Sequence, residues 1–220
     1  MKRVPAILFP LLFALAPACA QQQPRRASPR NAPGQFDYYV LSLSWSPEHC
    51  AGPAGARDRF QCAGERKYGF IVHGLWPQFE KGWPESCTTD PPPDRATVDQ
   101  TLPIMPSPGL IRHEWSKHGT CSGLSSRDYF ARIRSTFSAL KIPPDYQQPL
   151  KQLTVKPIDI KRKFVAANPG HTEQSVRVQC SGGRFLSEVR VCLDKDMKPR
   201  PCARDVGDCR SQSIIMQPVR

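Results

Sequence analysis

The sequence predicts an α+β fold in one domain stapled by disulfides, on three observations. Stretches with a two-residue hydrophobic period and stretches whose apolar residues recur every three to four positions both occur along the chain, so strands and helices are mixed. About 200 residues remain once an N-terminal targeting segment is removed, a length that suits one core. Eight cysteines remain in that mature chain. An even number behind an export signal points to disulfides in an oxidising compartment.

The targeting segment is residues 1–20. Lys2 and Arg3 precede an apolar run over 4–15, and Ala18-Cys19-Ala20 supplies a small-residue exit, so cleavage is expected after Ala20. The run is too short to span a bilayer and contains Pro5 and Pro10, so no permanent membrane association is expected. The mature chain should be soluble, secreted or periplasmic, and a monomer. A rival reading lipidates Cys19, because Ala16-Pro17-Ala18-Cys19 resembles a bacterial lipoprotein box, although the leucine three places before the cysteine is missing. Cleavage lowers the formal charge from +12 to +10 by removing Lys2 and Arg3. A charged partner is then anionic, and nucleic acid, anionic headgroups and acidic glycans all qualify.

Residues 21–34, QQQPRRASPRNAPG, are polar, basic and proline-rich, which predicts a disordered lead-in to a domain over 35–220. From Phe36 on, Tyr39, Leu41, Leu43 and Trp45 alternate with more polar neighbours, which predicts a strand with one face inward that stops at Pro47. Residues 50–66 read as a glycine-rich charged loop that Cys50 and Cys62 could staple. Residues 68–77 have the length and β-branched content of a buried strand ended by Gly74 and Pro77. His73 is therefore expected at a strand end, where side chains enter clefts; the alternative is a hydrogen-bonded core histidine.

Residues 79–109, rich in proline, read as loop. A helix is expected from near Leu110 to Gly119, whose missing Cβ suits a C-cap, with Cys121 able to tie that end to Cys87. Ser126 is the expected N-cap of a helix reaching about Leu140, with Tyr129, Phe130, Ile133, Phe137 and Leu140 on one apolar stripe. A short helix fits 158–167, and 176–180 with 185–193 alternate like paired strands. The ending from Lys195 is polar, basic and held by Cys202 and Cys209.

The chemistry gathers in His113-Glu114-Trp115-Ser116-Lys117-His118-Gly119-Thr120-Cys121. Helix positions three and four apart share a face, so Glu114 meets Lys117 and His118, His113 meets Lys117, and all four line one cleft. Such a cluster offers a proton acceptor, a carboxylate to tune it and cations for a phosphate. The bland alternative is a solvated charged helix face. Together with His73 these are the parts needed to cleave RNA without metal or cofactor. The 2′-hydroxyl is a built-in nucleophile, a neutral imidazole takes its proton, an imidazolium protonates the departing 5′-oxygen, and cations stabilise the phosphorane. A zinc-protease helix is excluded by spacing, since it sets its histidines at i and i+4 whereas His118 follows His113 at i+5, ~100° further round. The cysteines form no C-x-x-C pair of the kind that binds zinc.

Two blocks, Phe70-Ile71-Val72-His73-Gly74-Leu75-Trp76-Pro77-Gln78 and the nine residues from His113, resemble the active-site segments of the secreted ribonucleases of the T2 type. The strand ending Leu-Ser-Leu-Ser-Trp-Ser-Pro and the Cys87/Cys121 spacing extend the resemblance over most of 36–210. It implies a central antiparallel sheet flanked by helices, with His118 as general base and His73 as general acid. Glu114 and Lys117 would polarise the phosphate, His113 would bind it, and Trp76 would stack on a base. The substrate implied is single-stranded RNA, cleaved with low base specificity to 2′,3′-cyclic phosphate and 5′-hydroxyl ends. Gln78 stands where some members carry an acidic base-reading residue. The resemblance also implies the pairs Cys50–Cys62, Cys87–Cys121, Cys180–Cys209 and Cys192–Cys202, among the 105 connectivities that eight cysteines allow. A basic secreted binding protein that has lost catalysis is the rival, and the presence of every reacting group stands against it.

Overall fold

A computed structural model describes residues 31–220. The expected signal segment and residues 21–30 of the lead-in lie outside the described residues. Residues 31–34, read as part of that lead-in, are already fixed. The Gly34 N–H donates to the Cys121 carbonyl at 2.9 Å, and Asn31 Oδ1 accepts from the Glu85 N–H at 3.4 Å.

In chain order the elements are β1 (Tyr38–Trp45), α1 (Ser46–Ala51), α2 (Arg59–Cys62), β2 (Phe70–Gln78), α3 (Arg95–Thr101), α4 (Pro108–Lys117), α5 (Ser126–Ala139), β3 (Leu153–Val155), α6 (Pro157–Ala167), β4 (Val176–Ser181), β5 (Phe185–Leu193) and β6 (Ile214–Met216). The strands form one six-stranded sheet in the order β2-β1-β5-β6-β3, with β4 also paired to β5. Every pairing is antiparallel except a single parallel contact between Phe185 of β5 and Ile215 of β6. This is the α+β single domain that the sequence predicts, with a mixed rather than a purely antiparallel sheet. None of the described helices is long and apolar enough to cross a membrane.

β1 lies between β2 and β5, so both of its edges are hydrogen-bonded. Tyr39, Leu41, Leu43 and Trp45 enter the large core with Ile111 and Trp115 of α4, Tyr129, Phe130 and Ile133 of α5, and Ile160 and Phe164 of α6. On the opposite face Tyr38 and Val40 pack with Cys192, Cys202 and Val206. The functional cleft opens on this second face.

The second predicted strand differs in one decisive respect. β2 does not end at Gly74 but runs on to Gln78, and Pro77 is tolerated because β2 is an edge strand with no ladder partner beyond it. His73 therefore sits inside the strand, at a β-bulge: Ser42 faces Gly74 and Leu43 faces Val72, leaving His73 as the extra residue. The bulge shifts the alternation by one. Val72 and Leu75 both enter the large core, and His73 joins Gly74 and Trp76 on the cleft side. Unbroken alternation would have pointed His73 at the core together with Leu75.

Other boundaries shift for local reasons. α4 starts at Pro108, the favoured first-turn position, and its C-cap is His118 in a right-handed conformation, followed by a 3₁₀ turn over Gly119–Cys121. Gly119 is thus not a left-handed cap; a Cβ there would come within 2.4 Å of the Trp115 ring and 3.0 Å of Tyr129. α5 is capped by Ser125, whose hydroxyl accepts from the Asp128 N–H, one residue before the expected cap. The proline-rich stretch conceals α3, capped by Asp94 accepting from the Thr97 N–H at 2.7 Å. Disulfides join Cys50 to Cys62, Cys87 to Cys121, Cys180 to Cys209 and Cys192 to Cys202.

Candidate active site

The second face of the sheet and α4 enclose a cleft of about 380 Å³, lined by His73, Trp76, His113, Glu114, Lys117 and His118 together with Arg190 and Trp83. The two sequence blocks therefore meet in one place. Trp115 points away into the core, with its indole N–H donating to the Pro91 carbonyl at 2.9 Å.

Glu114 is the buried centre of the cluster, 1% exposed. Its Oε2 accepts the Trp76 indole N–H at 2.7 Å, and its Oε1 lies 3.7 Å from His73 Nε2. Gly74 makes this approach possible, because a Cβ there would stand 2.0 Å from Glu114 Oε2. Burial pushes the Glu114 carboxyl up to about 7, outweighing His73 and the Trp76 hydrogen bond, which act downward. Near neutrality it is thus divided between its protonated and charged forms, with the imidazolium of His73 favouring the charged one.

The two principal histidines are tuned in opposite directions. His118, 8% exposed, is pushed down to about 3 by burial and by the nearby Lys117, His113 and His73, so it is neutral over most of the pH range. Among the described residues its Nδ1 is one of the few buried polar atoms without a hydrogen-bond partner. For His73 burial acts downward, but the hydrogen bond to Glu188 and the charges of Glu188 and Glu114 outweigh it, and the imidazolium is favoured above its ordinary value. The Trp76 ring stands between them, its centroid 5.1 Å from that of His73 and 5.4 Å from that of His118. A neutral imidazole and a charged one facing a single cleft can take a proton on one side and give one on the other.

His113 lines the cleft from an exposed position, and burial with Lys117 and His73 lowers its pKa. Lys117 Nζ reaches the cleft and lies 3.8 Å from Glu85 Oε2, both half exposed. Trp76 has its N–H engaged by Glu114 and the Arg190 guanidinium 5.1 Å from its ring centre, so it holds the carboxylate as well as lining the wall. Trp83, 53% exposed at the same cleft, offers a freer ring face.

Sequence reasoning missed Glu188, Arg190 and Trp83. Glu188 and Arg190 were legible only as an i, i+2 pair on one face of β5, a pattern that any half-exposed strand can show. Among the described residues no cluster of three or more His, Cys, Asp or Glu side chains is arranged to hold a metal ion.

Residues 36–202 match the Ribonuclease T2 family. A ribonuclease of Aeromonas hydrophila is 37% identical over 198 residues, covering 85% of this chain and 88% of the relative. Ribonuclease I of Escherichia coli strain K12 is 26% identical over 237 residues, covering 83% and 87%. Among solved structures, an RNase-related protein from Calystegia sepium superposes with a TM-score of 0.67 at 23% identity, covering 84% of this chain and 98% of that one. RNase NT, solved in complex with 5′-AMP, superposes with a TM-score of 0.61 at 23% identity, covering 84% and 99%. Fold, disulfides, cleft and relatives together define an endoribonuclease with an α+β scaffold. The chain belongs to the ribonuclease T2 family.

Proposed function

We propose that the protein is a metal-independent endoribonuclease that cleaves single-stranded RNA by attack of the 2′-hydroxyl on the adjacent phosphorus. The observation that carries this reading is the opposed tuning of two histidines across one cleft. His118, neutral to about pH 3, takes the 2′-hydroxyl proton. His73, whose imidazolium is favoured, gives its Nε2 proton to the departing 5′-oxygen, so the products are a 2′,3′-cyclic phosphate and a free 5′-hydroxyl. Glu114 and Lys117 face the non-bridging oxygens, where a buried proton donor and an ammonium stabilise the phosphorane. His113 binds phosphate at the rim, and the Trp76 and Trp83 rings take bases by stacking, which tolerates any base and supports low specificity.

The mature chain is proposed to act outside the cytoplasm, secreted or periplasmic after cleavage at Ala20, as a soluble monomer; four closed disulfides support an oxidising compartment. Product analysis on a dinucleotide panel tests the chemistry. Cyclic phosphate products in EDTA and no cleavage of 2′-deoxy analogues are expected; cleavage of the deoxy series, or loss of activity on chelation, would overturn the mechanism. His73→Ala and His118→Ala should each lower turnover by about 10²–10⁴-fold with folding intact.

A further inference from the structure

Behind His73 lies a carboxylate that the reaction above does not use. Glu188, its side chain 12% exposed, brings Oε1 to 2.6 Å from His73 Nδ1. Its Oε2 accepts from Arg190 Nε at 2.9 Å and lies 2.7 Å from a second guanidinium nitrogen. Arg190 in turn donates to the Val206 carbonyl at 3.2 Å and lies over the Trp76 ring. A carboxylate so enclosed persists as an anion only when paired on both oxygens. Here one oxygen faces an imidazole and the other a guanidinium.

The sheet explains how two strands that are not neighbours make this contact. β1 runs between β2 and β5, and the residues facing Glu188 and Arg190 across the ladder are Ser44 and Ser42. Ser42 also faces Gly74 on the β2 side, next to the bulge. Two serines leave the space through which the Glu188 and His73 side chains meet above β1. A branched or aromatic side chain at either position would fill it.

We propose that Glu188 is a positioning residue for the reaction, accepting the Nδ1–H of His73 so that Nε2 is the atom presented to the leaving 5′-oxygen, with Arg190 holding the carboxylate in place. The proposal rests on His73 being the acid. On proton transfer the Nε2–H bond breaks and a hydrogen–5′-oxygen bond forms, while the Nδ1–H stays on the ring and no proton passes to Glu188. Consistent with that, although burial pushes it up, the His73 hydrogen bond and the charges of His73 and Arg190 hold Glu188 down to about 2. The charged and titratable groups around His73 and its cleft are Glu188 and Arg190 from β5, Glu114, His113 and Lys117 from α4, His118 at the C-cap of α4, and Asp205 from the loop after Cys202. Of these Glu188 alone bonds the ring directly.

The test is Glu188→Gln, checked for folding by thermal unfolding. His73 is followed by NMR titration, and kcat and KM on a dinucleotide are followed against pH. The His73 titration should move down by about one pH unit or more, because the charged partner is gone. The alkaline limb of kcat should move acidward equally, with KM within about twofold and Glu188→Asp recovering part of the loss. An unshifted His73 titration in the folded variant overturns the proposal. A shifted titration with an unmoved rate profile upholds Glu188 as the residue that sets His73 and removes His73 from the acid role, so the two readings fail separately. A measurement on the unaltered protein needs no variant: ¹⁵N shifts of neutral His73 should show the proton on Nδ1, and a proton on Nε2 would overturn the proposal.

Discussion

Gly74→Ala adds one methyl group in a space that holds none. The new carbon would lie 2.0 Å from Glu114 Oε2 and 2.4 Å from Trp76 Nε1, whereas carbon and oxygen settle at about 3.3 Å or more. The carboxylate would have to retreat by more than about 1 Å. α4 cannot carry it back, because Ile111 and Trp115 are buried and the Cys87–Cys121 bridge closes just beyond the helix. The side chain must rotate instead, breaking the 2.7 Å bond from Trp76 and disturbing the 3.7 Å approach to His73. Leaving a buried acceptor without its donor costs about 1–3 kcal/mol of stability. Displacing a reacting group by about 1 Å lowers kcat/KM on the order of 10²-fold. Urea unfolding and steady-state cleavage of a dinucleotide measure the two effects. Activity within threefold of the unaltered enzyme at unchanged stability would refute the idea that the bare backbone at 74 exists to admit Glu114.

Further outcomes follow from the charges. kcat/KM should persist into acid, because His118 stays neutral down to about 3, and should fall on an alkaline limb above the ordinary histidine value of 6.5 as His73 loses its proton; an acid limb near 6.5 would reassign the base. Between about pH 4.5 and 6.5 two effects oppose: unfolded His118 takes up a proton that the folded residue, held at about 3, refuses, while folded Glu114, pushed up to about 7, keeps one that the unfolded residue has lost. Stability therefore changes little there, with the lowered His113 and His171 tilting it gently downward toward acid. Below 4.5 the unfolded chain takes up protons that folded Glu188 and His118, held at about 2 and about 3, refuse, so stability falls with pH. Above 6.5 the raised pKa values of Glu114 and His73 mean that the folded state holds more protons, so stability falls as pH rises, and melting temperature against pH reads both edges. Replacing Cys87 and Cys121 by alanine opens a loop with a sequence separation of 34, which in the chain-entropy picture costs about 4 kcal/mol on urea unfolding. RNA affinity should fall as salt rises, since phosphate contacts release counterions, and a flat response would show that the net positive charge is irrelevant to substrate.

Much of this was legible in the residues. The helical face carrying His113, Glu114, Lys117 and His118 follows from spacing alone, and the alternation of Tyr39, Leu41, Leu43 and Trp45 gave β1 its core face. The errors came where tertiary contacts outrank local signals. Gly74 and Pro77 look like strand breakers, yet one admits a carboxylate and the other lies on an edge strand. Gly119 looks like a cap and is a packing glycine against Trp115 and Tyr129. The bulge at His73 leaves no local mark, because only the pairing with Ser42 and Leu43 reveals the extra residue. Glu188 was invisible for the same reason: its importance lies in a partner 115 positions away. β3 and β6, three residues each, are too short to show a period.

That separation has a bearing on biosynthesis. A chain emerging from the ribosome makes β2 and α4 early, but the carboxylate bonded to His73 is added 115 residues after His73 itself, on β5, which the Cys192–Cys202 bridge ties to the loop beyond it and whose neighbour β4 is tied by Cys180–Cys209. The strands that carry His73 and Glu188 come together only when β5 lays itself against β1. In the proposed mechanism, a chain that has not yet made β5 therefore lacks an aimed acid.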